Sequence, residues 1–161
     1  MIMNIVRKPS EIAVKKLLDA AQLPIADITP EHMEHFFGAW EGSSLAGVVG
    51  IEPFGTTALL RSLTVAELKR CSGLGAALLA QAEEYAMGQG IRSMFLLTTT
   101  AEPYFEKHGY SYIVREEVPA AIQNTVEFTS LCPGSAVLMV KHMPAVPPTP
   151  YSGRVQSPFL G

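Results

Sequence analysis

Apolar and polar positions alternate along the chain in two different periods, and the changes of period mark out short elements. Asn4-Ile5-Val6 reads as a strand. Ser10 is then placed to cap a helix carrying Ile12, Leu17, Leu18 and Ala21, which Pro24 ends. Thr29-Pro30-Glu31 combines a cap, a first-turn proline and an acid suited to the helix dipole, so a short helix is predicted toward His35. Residues 37–41 and 45–51 flank the polar turn Gly42-Ser43-Ser44 as an antiparallel hairpin. A second turn at Pro53-Phe54-Gly55-Thr56 leads into an apolar strand over 58–65, with Arg61 set inside it.

The helical period is clearest from Gly75 to Met87, where Leu78, Leu79, Ala82 and Ala86 share a face and Gly88 and Gly90 close the element. A buried strand over 94–99 follows, then a short helix from Pro103 to His108 that stops at Gly109. A strand over 110–114, a helix over 120–128 and a strand over 135–141 complete the pattern. Residues 1–143 thus form one domain. The run Pro144-Ala145-Val146-Pro147-Pro148-Thr149-Pro150 favours polyproline II, so residues 144–161 read as a flexible or partner-dependent tail.

With 48% hydrophobic and 17% charged residues in 161, the chain has enough apolar mass for a core and too little charge for disorder. A formal net charge of −3 argues against nucleic-acid phosphate as the main partner, since that partnership rests on a basic surface. No apolar run approaches the roughly 18–20 residues that span a bilayer, and the charged start has no signal-peptide core after it. No membrane partner and a cytoplasmic location are therefore expected. Cys71 and Cys132 form neither a CxxC pair nor a disulfide framework and read as reduced thiols in a loop and a turn. His32 and His35 share i, i+3 spacing, but no further ligand completes a metal set, so no metal is expected. Phe36, Phe37 and Trp40 read as core, with the lining of an acceptor pocket as the alternative.

The segment from Leu63 to Leu78 passes from a strand through Arg70-Cys71-Ser72-Gly73-Leu74-Gly75 into the strongest helix. At such a start the first backbone N–H groups lack partners, the dipole is positive and glycines permit close approach, so a pyrophosphate can dock. No Gly-Lys-Ser/Thr follows the glycines and no third glycine completes G-x-G-x-x-G, which argues against a P-loop or a Rossmann site.

Arg70-x-x-Gly73-x-Gly75 resembles the acyl-CoA pyrophosphate loop of the GNAT superfamily of N-acetyltransferases. Ala101-Glu102-Pro103-Tyr104-Phe105-Glu106-Lys107-His108-Gly109-Tyr110 resembles that family's A-x-x-F-Y-E-x-x-G-F helix and turn. Both stand in the family's order, within a likeness covering roughly residues 38 to 140. Segments 50–55, 59–63, 97–101 and 131–139 resemble, more narrowly, the arsenic-resistance group of bacterial GNAT acetyltransferases. The resemblance implies an α/β fold: a mixed, mostly antiparallel sheet flanked by helices, with a splayed strand pair forming the acyl-CoA cleft.

It implies acetyl-CoA as cosubstrate. Leu63 and Val65 would pair through their backbones with the pantetheine arm, and Arg70, Cys71, Ser72, Gly73, Leu74, Gly75 and Ala76 would hold the pyrophosphate, with Thr98 and Phe105 bordering the cofactor. Cys71 replaces a glycine common in that loop. The sequence departs from the family where chemistry is concerned. Phe105 stands where many members carry a tyrosine acid, and the phenol lies one residue earlier, at Tyr104. A one-residue step turns a helical side chain by about 100°, so Tyr104 serves as the acid only if the helix is rotated. Leu59 and Thr98 replace two further polar positions of the family.

Glu52, closing an apolar strand beside Pro53, is the carboxylate placed to accept the amine's proton; a solvated turn residue is the alternative. Arg61 alternates with Leu59 and Leu63, so it is expected on their face, either presenting its planar fork to a substrate carboxylate or forming a structural salt bridge. Together these residues point to direct acetyl transfer onto the primary amine of a small, amino-acid-like acceptor, in arsenic or xenobiotic resistance by the narrower resemblance. Metabolic amino-acid or protein N-acetylation and a noncatalytic acyl-CoA-binding module are the other readings. A homodimer is a family-based expectation.

Overall fold

The computed structural model describes residues 4–144 except 24, 71, 126–127 and 129–135. Cys71, Cys132, the start of the expected last strand and all but the first residue of the proline-rich tail lie outside the described residues.

Seven strands form one sheet in the order β1-β2-β3-β4-β5-β7-β6. They are β1 (Asn4–Arg7), β2 (Phe36–Glu41), β3 (Ser44–Phe54), β4 (Thr57–Val65), β5 (Ser93–Thr98), β6 (Ser111–Tyr112) and β7 (Val137–His142). All neighbours run antiparallel except β4 and β5, which the helix α2 (Leu74–Gly88) connects as a parallel crossover. This is the mixed, mostly antiparallel sheet expected. Among the described residues the further α-helices are α1 (Glu11–Ala20), α3 (Glu102–Lys107) and α4 (Ala120–Gln123), and a 3₁₀ turn runs over Pro30–His35.

Ser10 caps α1 as expected, its hydroxyl accepting from the Ala13 N–H at 3.3 Å. The hairpin turn is tighter than the sequence suggested: Ser44 already pairs with Glu41, and Gly42 takes φ +62°. Of the helix expected over 120–128, residues 126–127 lie outside the described residues, and α4 covers Ala120–Gln123. Thr125 turns the backbone there, its hydroxyl donating to the Ile122 carbonyl and accepting from the Phe128 N–H. Tyr110, expected to open a strand, is 2% exposed in the core, and its hydroxyl donates to Glu83 at 2.9 Å.

Two faces of the sheet carry different jobs. Leu78, Leu79, Ala82 and Ala86 of α2 cover the face that includes Val49, Ile51 and Leu60, and Phe105 of α3 joins them. On the opposite face α1 packs Val14 and Leu18 against Phe36 and Val48, while Val118, Ile122 and Phe128 cover Leu59 and Phe95. Phe36 reaches so close to Gly50 that a Cβ there would sit 2.2 Å from its ring. Phe36 and Phe37 are accordingly core residues, 0% and 6% exposed.

Candidate active site

The β4–β5 ladder contains three pairs and ends at Leu59 and Phe95, yet β4 runs on to Val65 and β5 to Thr98. Past Leu59 the two strands part, and among the described residues the β5-facing edge of β4 has no strand partner. Leu63 and Val65 lie on this stretch, and Val65 still pairs with Gly47 of β3. Thr98 ends β5, its hydroxyl accepting from the Ala101 N–H at 3.0 Å.

Beyond the splay the chain makes a 3₁₀ turn over Glu67–Lys69 and enters α2 through Gly73, whose φ of +85° suits glycine. Among the described residues no side chain caps α2, and its first turn holds no acid, so the N–H groups of Leu74, Gly75 and Ala76 meet no competing carboxylate there. Arg70 and Ser72 are exposed beside them. Arg70 Nε donates to the Val65 carbonyl at 3.2 Å and the Ser72 hydroxyl to the Lys69 carbonyl, which folds the loop back on the end of β4.

Tyr104 faces this same turn. A Cβ on Gly75 would lie 3.1 Å from the phenol oxygen and 3.7 Å from Val65 Cγ2. The phenol oxygen is buried without a hydrogen-bond partner among the described residues, and burial pushes its pKa up, keeping the proton in place. Phe105, one step round the helix, is 7% exposed in the core. The swapped pair therefore directs the phenol to the α2 start and the phenyl ring inward.

Across the sheet, β4 carries a bulge. Gly50 pairs with Arg61 and Val48 with Thr64, so one residue of β3, Val49, lies opposite two of β4, Ser62 and Leu63, and Ser62 takes φ +63° at the extra position. The bulge corrects the expected alternation. Arg61 shares a face with Leu59, but Leu63 turns to the α2 side, and Thr64 takes the place beside Arg61 that Leu63 would have had. Simple period-two counting fails wherever an extra residue enters the strand.

Arg61 is enclosed. Its Nη1 and Nη2 donate to the two oxygens of Asp27 at 2.5 and 2.9 Å, Nη1 also donates to Glu52 Oε2 at 2.6 Å, and Nε donates to the Ser62 hydroxyl at 3.2 Å. The side chains of Arg61, Asp27 and Glu52 are 0%, 8% and 14% exposed. Of the two expectations for Arg61, the ion pair is the one formed. Burial pushes the Asp27 carboxyl up, but the hydrogen bonds and charge of Arg61 outweigh it and hold the group below its ordinary value. Asp27 was not singled out from the sequence, because nothing in the irregular stretch before Thr29 marks one acid as the partner of an arginine in β4.

His32 Nε2 stands 3.7 Å from Glu52 Oε2. Asp27, His32 and Glu52 thus bring three oxygen or nitrogen donors within 4.8 Å of one another. The Thr29 N–H donates to His32 Nδ1 at 3.0 Å, so the neutral ring carries its proton on Nε2, and the Arg61 cation already holds both carboxylates. That is the chemistry of an ion-pair network. His35, on the same turn, points elsewhere, to the Tyr85 hydroxyl at 2.8 Å.

Among the described residues no helix is long and apolar enough to cross a membrane. No curated protein sequence matches the chain. Similar solved structures share its fold. N-acetylglutamate synthase from Neisseria gonorrhoeae, complexed with coenzyme A and N-acetyl-glutamate, is 18% identical with a TM-score of 0.74, over 89% of this chain and 35% of that one. The chain therefore spans about a third of the length of that synthase. A Mycobacterium tuberculosis protein in complex with CoA and NLQ is 17% identical with a TM-score of 0.72, over 89% of this chain and 99% of that one. PaiA N-acetyltransferase from Thermoplasma acidophilum, in complex with coenzyme A, is 18% identical with a TM-score of 0.62, over 88% of this chain and 99% of that one. Residues 2–110, which include the splay and the start of α2, match the model of the acetyltransferase (GNAT) family, and the chain belongs to that family.

Proposed function

We propose that the chain moves an acetyl group from acetyl-CoA directly to the primary amine of a small, amino-acid-like acceptor. The observation that carries this is the end of the β4–β5 ladder at Leu59 and Phe95, with the uncapped start of α2 beyond it. An unpaired strand edge offers amide partners to pantetheine at Leu63 and Val65. The N–H groups of Leu74, Gly75 and Ala76, with Arg70, Ser72 and Cys71 in the loop around Gly73, suit the pyrophosphate. Thr98 and Phe105 border the β5 side.

The amine nitrogen attacks the thioester carbonyl carbon, the C–S bond breaks, and an amide and a thiolate result. Glu52, held at one oxygen by Arg61, takes the proton that the amine gives up. Tyr104, whose buried phenol keeps its proton, supplies one to the thiolate. Proximity of thioester and amine in the splay supplies much of the acceleration without an acetyl-enzyme.

The amino-acid character of the acceptor draws support from the N-acetyl-glutamate in the Neisseria synthase complex, and an arsenical amino-acid analogue joins the candidates through the sequence resemblance to the arsenic-resistance group. Arg61 contributes its charge to the acceptor side, while its fork is engaged by Asp27 and Glu52.

Thermal unfolding with acetyl-CoA, ATP and NAD tests the cosubstrate, since a ligand at about 100 times its Kd stabilises by roughly 2.7 kcal/mol. A rise with acetyl-CoA alone is expected; no shift at millimolar acetyl-CoA overturns the assignment. CoA release with amino acids, arsenical analogues, simple amines and peptides then identifies the acceptor.

A further inference from the structure

α3 is six residues long, too short to be held by its own hydrogen bonds, so what meets its ends decides which way its side chains point. Tyr104 and Phe105 follow one another on it, about 100° apart around the axis. We infer that Lys141 is a positioning residue for acetyl transfer: with Glu83 and Tyr110 it fixes the rotation of α3, so that the phenol of Tyr104, and not the ring of Phe105, faces the start of α2. This rests on the proposed reading of Tyr104 as the proton donor to the thiolate.

The contacts at the C-terminal end of α3 carry the inference. Two backbone hydrogen bonds close that end: the Tyr110 N–H donates to the Phe105 carbonyl and the Gly109 N–H to the Glu106 carbonyl, with Gly109 at φ +97°. Lys141 Nζ, from β7, donates to the His108 carbonyl at 3.0 Å and to Glu83 Oε1 of α2 at 3.0 Å. The Tyr110 hydroxyl donates to the other oxygen of the same carboxylate at 2.9 Å. One acid of α2 thus gathers a hydroxyl from the residue after α3 and a cation that itself holds the last turn. A cation is also favoured at this end of a helix, where the carbonyls point outward. Gly109 gives Lys141 its room, since a Cβ there would lie 3.3 Å from Lys141 Cε.

Ring contacts pass this setting back along α3. Phe105 meets the Tyr110 ring edge-on at 5.6 Å, which keeps it turned into the core, and Tyr104 packs at 4.6 Å against His108, whose carbonyl Lys141 holds. Turning α3 by one residue would break both contacts. Glu83 lies about 12 Å along the α2 axis from Gly75, so the network acts on the reaction through α3 and not by touching the thiolate.

Lys141→Met keeps the apolar stem and removes the ammonium. With the amino acid that gives the fastest CoA release as acceptor, its kcat is expected to fall on the order of 10-fold to 100-fold, with the KM for acetyl-CoA unchanged. The deficit should shrink with acetyl thioesters of a better leaving thiol, which need less help from an acid. Lost packing alone would not produce that dependence. Lys141→Arg, which keeps the charge, should recover part of the rate. Tyr110→Phe removes only the hydroxyl that reaches Glu83, should show a smaller loss of the same kind, and takes the place of Lys141→Met if that variant does not fold. In a crystal structure of Lys141→Met the Tyr104 phenol should have left its place beside Gly75. A phenol that has not moved, a kcat equal to that of the wild type, or a loss of kcat that is the same for every leaving thiol overturns the inference. Tyr104→Phe separates the two levels. If it retains full activity, the reading of Tyr104 fails and the inference with it; if its rate becomes sensitive to the leaving thiol while Lys141→Met behaves as wild type, the role of Lys141 alone fails.

Discussion

Asp27 and Arg61, 34 residues apart in sequence, meet through two parallel hydrogen bonds, one residue in an irregular connection and the other at the start of a bulge in β4. The pair ties the connection after α1 to the centre of the sheet. Replacing Arg61 with Met strands two buried carboxylates, and removing one partner from such a network costs about 3–5 kcal/mol. Urea unfolding of Arg61→Met should show that loss, and a change under about 1 kcal/mol would mean that the carboxylates find water or other partners.

The same pair sets a pH dependence. The Asp27 carboxyl is held below its ordinary value of 3.8 in the folded chain, so the unfolded chain binds its proton more readily. Its contribution to stability is complete above that value and is lost as pH falls through and below it. Melting temperatures between pH 6 and pH 3 should drop more steeply for the wild type than for Asp27→Asn. Equal slopes would assign acid sensitivity to other carboxylates.

Packing at Gly50 gives a further prediction. The Phe36 ring occupies the space where a Cβ would stand, 2.2 Å away, and Phe36 is fully buried. Gly50→Ala should therefore destabilise by about 1–3 kcal/mol or more, as overpacking does. Phe36→Leu should relieve part of it, so a double-mutant cycle in chemical denaturation should give a non-additive sum. Additive losses would mean the strain is absorbed elsewhere.

Much of this architecture was legible in the chain, and the gaps have local causes. Regular periodicity located the strands of the hairpin and the long helix α2, where Leu78, Leu79, Ala82 and Ala86 repeat without interruption. The glycines of the Arg70–Gly75 loop placed the start of that helix, because φ near +85° at Gly73 has a direct compositional signature. The bulge at Ser62 had none: serine rarely adopts that conformation, so counting by twos put Leu63 on the wrong face. Asp27 was equally silent, since its role depends on a tertiary meeting with β4 and not on its neighbours. The helix after Pro119 is interrupted past Gln123 because Thr125, unremarkable in sequence, diverts the backbone with its hydroxyl.

Thr64 supplies another prediction. The bulge brings it beside Arg61 on the α1 face, where it is 7% exposed and its hydroxyl finds no hydrogen-bond partner among the described residues. An unmet buried hydroxyl costs about 1–3 kcal/mol of desolvation. Thr64→Val keeps the branched shape, so it should match or raise wild-type stability, by up to about 1 kcal/mol. A stability loss would show that the hydroxyl gains a partner in solution.

Tyr104 offers the sharpest separation of roles at the cofactor side. Its phenol oxygen is buried and, among the described residues, unpartnered beside Gly75 at the start of α2, and burial keeps it protonated. As the proton donor to the thiolate, Tyr104→Phe should lower kcat on the order of 100-fold while leaving the KM for both substrates nearly unchanged. Acetyl-CoA analogues with a better leaving thiol should restore part of the rate in the variant, because they need less help from an acid. Should the variant instead keep its kcat and lose acetyl-CoA affinity, the phenol would be a contact to the cofactor near the pyrophosphate. Gly75→Ala then gives an independent check, since its Cβ would press on the same oxygen from 3.1 Å. It should impair acetyl-CoA binding in the presence of Tyr104, and less so in a Tyr104→Phe background where that oxygen is gone.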